Sequence, residues 1–358
     1  MKQAIHQFTA GYSNGDAISN DARAWRQVFR SWGYPSEIYC EARRTLPELR
    51  KDSRDIATAA QTIGANDIAI LHLSIGSDVN LAFRDLKCRK VILYHNMTPP
   101  EYFRGYQEEI VASLKKGRDQ LALLRDCANV NLAVSCFNAR ELSASGYSDV
   151  GVVPLLMDRS HWTGSVDQRI VQEYRDGFVN ILFVGRCAPN KRIEDLIFTL
   201  YYSQNYANKN TRLIHVGSAA GLERYEALLR TKIRELKLDN IVMAGSVSPA
   251  ALRGYYQAAD VFLCLSEHEG FCIPLLEAMA NRVPVLAYSA GAITETLDGA
   301  GVLIREKQYD VIAETIQKVA TTPLLRDAII EGQVDRLARF SARDVPAMMK
   351  TAISKLLD

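Results

Sequence analysis

Short apolar segments alternate with amphipathic segments along most of the chain. In the first half, the segments AIHQF, SEIYC, DIAILHL, KVILYH and VNLAVS predict strands. A second series follows with VNILFVG, TRLIHVG, NIVMAG, DVFLCLS, PVLAY and AGVLI. The second series is apolar on both strand faces, which is typical of parallel strands covered by helices. Because the alternation of strand and helix occurs twice, the sequence predicts an α/β protein with two doubly wound parallel sheets.

The segment PLLMDRSHWTGSVDQRIVQEYRDG separates the two series and has no clear strand pattern. We therefore expect an N-terminal domain over residues 1–160, a linker over 161–177 and a C-terminal domain over 178–340. Residues 341–358 have a helical pattern after the second sheet. A length of 358 residues supports this division, because one hydrophobic core seldom organises so long a chain.

The segment ISNDARAWRQVFRSWG, which follows the first predicted strand, has the period of a helix. Ala24, Val28 and Trp32 recur every four residues and predict the apolar face of this helix. Asp16 comes just before it and can serve as its N-cap.

Composition and charge exclude several classes of protein. Hydrophobic residues make up 48% and charged residues 23%, as in soluble globular proteins. The 43 Lys and Arg against 41 Asp and Glu leave a net charge of +2, too small an excess for a dedicated nucleic-acid binder. The seven cysteines form no C-x-x-C pair, which favours a reducing compartment. The N-terminal apolar stretch is too short for a signal peptide, and we expect a cytoplasmic protein.

Ligands of parallel sheets bind outside the carboxyl ends of the strands, so the residues after each strand are the candidates for chemistry. VNILFVG is followed by RCAPNK, in which Gly185 permits a sharp turn and Arg186 and Lys191 supply two cations. Two cations beside a helix N-terminus suit a diphosphate, although two ordinary surface cations are the alternative.

DVFLCLS is followed by EHEGFCIPLLE, which places two carboxylates, Glu269 and Glu277, eight residues apart. Pro274 suits the first turn of a helix. We expect the preceding backbone N–H groups to face an anion, with one carboxylate near a sugar and the other near a ribose. Alternatively, Glu277 interacts only with the helix dipole.

The first half offers less specific signals. His95 follows the strand KVILYH directly, but a single histidine at such a place is more often structural than catalytic. Gly15 lies in TAGYSNGD, which is not G-x-G-x-x-G, so a nicotinamide-type dinucleotide site has little support. The six histidines show no metal-ligand spacing and no D-x-D is present, so we expect no metal site.

Together these segments resemble the family 4 glycosyltransferases, retaining enzymes of the GT-B fold. EHEGFCIPLLE matches the family's E-x7-E motif, FVGRCAPNK matches its G-R-x4-K segment, and VVPLLMD resembles its linker entry. The resemblance spans nearly the whole chain. It implies two Rossmann-like domains that face a cleft, with the C-terminal helix crossing back onto the first domain.

The resemblance also implies roles for individual residues. Arg186 and Lys191 would hold the diphosphate of a nucleotide-sugar, and Glu277 would bind the ribose hydroxyls. Glu269 would bind the donor sugar together with the backbone of three residues that follow it: Gly270, Phe271 and Cys272. His95 would lie near the reacting centre and Val247 near the base. The family usually has Gly in place of Cys272 and commonly Gly-Gly in place of Gly15-Asp16, so these two positions depart from its pattern.

The activity implied is transfer of a hexose, without an essential metal or cofactor, to a polysaccharide or lipopolysaccharide precursor. Overall similarity to bacterial O-antigen mannosyltransferases suggests GDP-mannose as the donor. A nucleotide-sugar 2-epimerase and a catalytically inactive sugar-nucleotide-binding regulator remain alternatives. Basic residues cluster at 43–54 and 115–118, so weak peripheral contact with the inner face of the membrane is a further hypothesis, with a solvated charged surface as its alternative.

Overall fold

The computed structural model describes residues 2–157, 162 and 164–357. These residues form two compact units. The first comprises the described residues of 1–101, 109–158 and 344–358, and the second those of 102–108 and 159–343. Residues 158–161 and 163, where the predicted first domain ends and the predicted linker begins, lie outside the described residues, as does residue 358.

The first unit contains a parallel sheet with the strand order β3-β2-β1-β4-β5-β6-β7. Its strands are β1 (Ile5–Thr9), β2 (Ile38–Cys40), β3 (Arg54–Asp55), β4 (Ile68–Leu73), β5 (Arg89–Tyr94), β6 (Val130–Ala133) and β7 (Gly151–Val152). Its α-helices are α1 (Ala17–Ser31), α2 (Ala59–Thr62), α3 (Asp78–Asp85), α4 (Glu108–Leu124), α5 (Cys136–Ala144) and α14 (Val345–Ala352).

The second unit contains a parallel sheet with the strand order β10-β9-β8-β11-β12-β13. Its strands are β8 (Val179–Val184), β9 (Thr211–Val216), β10 (Ile241–Gly245), β11 (Val261–Cys264), β12 (Val285–Tyr288) and β13 (Val302–Ile304). Its α-helices are α6 (Gln168–Tyr174), α7 (Ile193–Tyr202), α8 (Glu223–Glu235), α9 (Pro249–Ala258), α10 (Ile273–Ala280), α11 (Ile293–Leu297), α12 (Tyr309–Thr321) and α13 (Pro323–Ser341).

The predicted linker contains a helix that packs within the second unit. Helix α6 follows Asp167, whose backbone N–H donates to the carbonyl of Ala250 at 3.0 Å. A Cβ atom on Gly254 of α9 would lie 2.9 Å from the carbonyl oxygen of Asp167. Gly254 therefore permits the close approach of the α6 segment to α9.

The C-terminal residues belong to the first unit. The carbonyl of Leu356 accepts hydrogen bonds from the side chain of Gln3 at 2.8 Å and from Arg89 at 2.5 Å. Lys350 of α14 lies over the ring of Trp32, 5.6 Å from its centroid. These contacts attach the end of the chain to the start of β1 and to the end of α1.

Helix α1 corrects one prediction of the sequence analysis. The predicted face of Ala24, Val28 and Trp32 is wrong, because these side chains are only partly buried. The fully buried apolar positions are Ala22, Trp25 and Phe29, and the rings of Trp25 and Phe29 stack with centroids 5.5 Å apart. The aromatic pair at i and i+4 buries more apolar surface than Ala24 and Val28 could, so it decides which face meets the sheet. Asp21 is carried into the interior on that same face.

Within the part of the chain that the structure describes, every helix is too short or too polar to span a membrane.

Candidate functional site

The carboxyl end of β8 leads into a short turn that carries the first pair of predicted residues. Gly185 has a φ of +159°, and Arg186 after it is exposed. The chain then forms a 3₁₀-helix over Pro189–Lys191, which ends directly before α7. This connection places the Lys191 side chain, which is 22% exposed, at the mouth of the sheet.

Lys191 and Glu269 form an ion pair that the sequence analysis did not foresee. The Lys191 Nζ atom lies 2.7 Å from Oε1 and 2.6 Å from Oε2 of Glu269, whose side chain is 8% exposed. Burial lowers the pKa of Lys191, but the Glu269 carboxylate and neighbouring groups raise it by more, so the net change is upward. Lys191 is therefore an ammonium ion at neutral pH, bound to a carboxylate that the sequence analysis expected to meet a sugar.

Asn190 holds the two loops that carry this ion pair. Its carbonyl accepts from the backbone N–H of Glu267 at 2.9 Å, and its side-chain amide donates to the carbonyl of His268 at 3.1 Å. The carbonyl of Glu269 itself accepts from the N–H of Ala292 at 2.9 Å. Three hydrogen bonds thus fix the Glu269 loop, and Asn190, which the sequence analysis missed, makes two of them.

The loop after Glu269 ends in a residue with left-handed backbone geometry. Cys272 is the N-cap of α10 and has φ 70° and ψ 65°. Its side chain is buried, with Sγ 4.0 Å from Sγ of Cys264. The carbonyl of Phe271 accepts from the Thr296 hydroxyl at 2.5 Å, while the Phe271 ring packs edge-on against Phe340. A positive φ favours glycine, which explains why the family usually has Gly at the position of Cys272.

We expect the backbone strain at Cys272 to be measurable with a matched pair of variants. Cys272→Ala removes the thiol and keeps a Cβ atom in the left-handed region, whereas Cys272→Gly removes both. The Gly variant should be more stable than the Ala variant by about 1 kcal/mol, because only Gly adopts this conformation without a steric cost. Urea unfolding of the two variants measures the difference, and an Ala variant at least as stable as the Gly variant would contradict it.

Glu277 lies in the first turns of α10 and is held by a tyrosine. The hydroxyl of Tyr256, a buried residue of α9, donates to Oε2 of Glu277 at 2.8 Å. Burial, together with the Glu277 charge, raises the pKa of Tyr256 well above its usual value, so the tyrosine stays protonated and remains a donor. Glu277 is thus a positioned carboxylate with one oxygen bound to Tyr256.

A cavity of about 360 Å³ lies at the carboxyl ends of β8, β9 and β10. Its lining includes His215, Gly217, Gly245 and Ser246. Val247, the predicted base contact, follows these last two residues in the loop before α9. A Cβ atom on Gly217 would lie 1.8 Å from the carbonyl oxygen of Gly185, so only glycine fits where these two strand ends meet.

The remaining predicted residues, Gly15 and His95, lie in the first unit. Gly15 has a φ of +73° in the turn before α1, and Asp16 is the N-cap that accepts from the Ser19 N–H at 2.8 Å. His95 follows β5, and its Nε2 atom lies 2.8 Å from Nδ1 of His72. Burial lowers the pKa of His95 well below its usual value. His95 is therefore a neutral imidazole paired with a second histidine.

Part of the second unit is similar to a known protein family. The family described as glycosyl transferases group 1 matches residues 167–334, which lie within the second unit. This match contains Arg186, Lys191, Val247, Glu269 and Glu277, so the resemblance proposed from the sequence motifs is confirmed.

Two curated relatives of this family illustrate the similarity in sequence. A GDP-mannose-dependent alpha-mannosyltransferase of Mycolicibacterium smegmatis is 35% identical over 116 residues, or 32% of this chain and 27% of that protein. A GDP-mannose:cellobiosyl-diphosphopolyprenol alpha-mannosyltransferase of Xanthomonas oryzae pv. oryzae is 34% identical over 145 residues, or 39% of this chain and 37% of that protein. The matches therefore span well under half the length of these relatives.

The fold is shared with solved structures over nearly all of the chain. The crystal structure of Anabaena HepE in complex with UDP-glucose matches with a TM-score of 0.73 at 18% identity, over 98% of this chain and 99% of that one. With the two parallel sheets of seven and six strands, this confirms the predicted α/β class and GT-B architecture.

Proposed function

We propose that the protein is a retaining glycosyltransferase that moves a hexose from a nucleotide-sugar to a polysaccharide or lipopolysaccharide acceptor. The observation that carries the proposal is the Lys191–Glu269 ion pair at the carboxyl edge of the second sheet, inside the group 1 glycosyl transferase match. The pair presents a fixed cation and a fixed carboxylate side by side. A nucleotide-sugar requires both a cation and a carboxylate, because its diphosphate is anionic and its sugar hydroxyls donate hydrogen bonds.

Four charged residues of the second unit then contact different parts of the donor. Lys191 and the exposed Arg186 neutralise the diphosphate, whose negative charge grows as the glycosidic bond to the nucleotide breaks. Glu269 accepts hydrogen bonds from the sugar hydroxyls and Glu277 from the ribose hydroxyls. Tyr256 fixes one oxygen of Glu277 and so orients the carboxylate. The 360 Å³ cavity beside Val247 is large enough to receive the base.

The donor is proposed to be GDP-mannose. Both curated relatives described above are named as enzymes that use GDP-mannose, whereas HepE was crystallised with UDP-glucose. A thermal-shift panel separates these donors, because a ligand that binds only the folded protein raises its unfolding midpoint. GDP-mannose should raise the midpoint more than UDP-glucose at equal concentration. The opposite order would contradict the GDP-mannose assignment while leaving the transferase proposal intact.

Turnover is proposed to need no added divalent ion. The group Cys264, Glu269 and Cys272 contains atoms of metal-ligand type within 4.8 Å of one another, but Lys191 already contacts both carboxylate oxygens. An ammonium ion at 2.6–2.7 Å repels a dication from the same carboxylate. We expect donor turnover to be unchanged when magnesium is added. Activity that EDTA abolishes and magnesium restores would contradict this prediction.

We also propose that the first unit makes a weak contact with an anionic membrane. Asp78 pairs with Arg43 at 3.1 Å and with Lys116 at 2.6 Å, so members of the two basic clusters share one acidic partner in the first unit. Each basic side chain without an acidic partner contributes about 1 kcal/mol to the free energy of binding to anionic lipid. Co-sedimentation with phosphatidylglycerol vesicles should therefore be detectable at low salt and lost at high salt. Absence of binding at low salt would contradict the contact.

A further inference from the structure

The first unit contains a buried cluster of three side chains from three separate elements. Asp21 lies on α1, His72 on β4 and His95 directly after β5. The Nδ1 atom of His72 lies 2.8 Å from Nε2 of His95, and Oδ2 of Asp21 lies 3.7 Å and 3.8 Å from those two nitrogens. All three side chains are at most 3% exposed. The proposed transferase chemistry assigns no role to Asp21 or His72.

One oxygen of Asp21 has no hydrogen-bond partner among the described residues. Oδ1 accepts from the backbone N–H of Leu156 at 2.8 Å, whereas the buried Oδ2 is unpaired and faces the two imidazoles. Leaving a buried carboxylate oxygen unpaired is costly, so native proteins supply a donor, an ordered water or a cation. The unpaired oxygen and the two imidazole nitrogens therefore face one another as three potential ligand atoms.

The three atoms are spaced as ligands of a small metal ion. A point equidistant from them lies about 2 Å from each, which is the ordinary length of a zinc bond to imidazole nitrogen or carboxylate oxygen. Tetrahedral coordination would require the two nitrogens to separate by about half an ångström. Two imidazoles and one carboxylate suit zinc and similar transition-metal ions, whereas magnesium and calcium prefer oxygen ligands only.

Gln7 fixes the orientation that His72 needs as a ligand. The side-chain amide of Gln7 donates to the carbonyl of Ala22 at 2.8 Å, so its Oε1 atom is left as the acceptor. That oxygen lies 2.9 Å from Nε2 of His72. His72 therefore carries its proton on Nε2 and turns the lone pair of Nδ1 toward Asp21 and His95. Thr9 is the strand-register partner of His72, and its buried hydroxyl also has no partner among the described residues.

We propose that Asp21, His72 and His95 bind one divalent transition-metal ion of the zinc type through Oδ2, Nδ1 and Nε2. A water molecule completes the coordination. The ion joins α1 to the carboxyl ends of β4 and β5. Coordination through Nε2 places the proton of His95 on Nδ1, so the ion also determines that this nitrogen donates a hydrogen bond. The proposal does not depend on the transferase activity.

The test is metal titration of the purified full-length chain after removal of bound metal with a chelator. Zinc should bind at about one ion per chain, and cobalt should give the visible absorption bands of a four-coordinate site. Asp21→Asn should abolish this binding, and Gln7→Leu should weaken it about 10–100-fold through loss of the bond to His72. His6→Gln is the control, because His6 is a buried histidine of β1 that pairs with the Glu37 N–H outside the cluster.

Two results would overturn the proposal. One is a wild-type chain that binds neither zinc nor cobalt, in which case the cluster is a hydrogen-bonded imidazole pair beside a protonated Asp21. The other is binding that Asp21→Asn leaves unchanged, which would place the metal elsewhere. Circular dichroism of each variant checks folding. If Asp21→Asn fails to fold, the cobalt spectrum of the wild-type chain and its change in Gln7→Leu decide the matter.

Discussion

Lys191→Ala is expected to lower kcat for the donor by about 10²–10³-fold while changing KM little. The reason is that the negative charge on the departing diphosphate is larger in the transition state than in the bound donor. A cation contact that strengthens along the reaction raises the rate more than it raises binding. Lys191→Arg should retain part of the rate, since it keeps the charge with a different shape. Steady-state kinetics at varied donor concentration measures both constants.

Lys209→Ala is the matched control for this variant. Lys209 is an exposed residue of the same unit, in the loop before β9, and its substitution makes the same change in net charge. It should leave both constants unchanged. A Lys191→Ala enzyme with a rate near that of the wild type would mean that the active site has been placed at the wrong strand end.

Glu269→Ala is expected to reduce kcat/KM by roughly 10²–10³-fold through both constants, because we propose that Glu269 positions the sugar that reacts. It should also lower the free energy of unfolding, since Lys191 loses the partner that contacts it at 2.6–2.7 Å. Removing one member of a buried ion pair typically costs about 3–5 kcal/mol. Because the pKa of Lys191 is raised, the lysine's contribution to the pair is constant at neutral pH and is lost as the pH rises above about 10.5.

Glu277→Ala provides the contrast to Glu269→Ala. Ribose hydroxyls acquire no charge during the reaction, so this variant should raise KM for the donor and leave kcat nearly unchanged. Tyr256→Phe should produce a smaller change of the same kind, because it removes only the hydrogen bond that holds Glu277. If Glu277→Ala instead lowered kcat as much as Glu269→Ala, the assignment of separate tasks to the two carboxylates would be wrong.

The alternation of strand and helix could be predicted because most of the buried strands are rich in apolar residues. All strands predicted from these segments are present, within a few residues at each end. Strands β3 and β7 were missed because each has two residues, and β3 is exposed. The face of α1 was predicted wrongly because a period of four fits Ala24 and Val28 as well as it fits Trp25 and Phe29. Side-chain size, not the period, decides between the two faces.

Residues of the candidate site could be predicted from the sequence where a charged side chain closely follows a strand. Lys191 and Glu269 were found in this way, but their contact joins loops 78 residues apart, and no local pattern encodes it. Asn190 and Tyr256 were missed for the same reason, since each acts through a partner on another element. The Asp21, His72 and His95 cluster draws on three elements, so no metal-ligand spacing is visible in the sequence. The left-handed backbone geometry of Cys272 agrees with the glycine that the family usually has at this position.

We propose that the second unit breaks the bond between a sugar and a nucleoside diphosphate at the Lys191–Glu269 pair. Time-resolved proton NMR of GDP-mannose with the wild-type and Lys191→Ala proteins tests it most directly. The wild type should release GDP while the donor's anomeric signal disappears, and the first sugar product should be the α-anomer. Lys191→Ala should do so about 10²–10³-fold more slowly. If the wild type releases no nucleoside diphosphate from GDP-mannose or UDP-glucose, or if the two proteins release it at the same rate, the claim is contradicted.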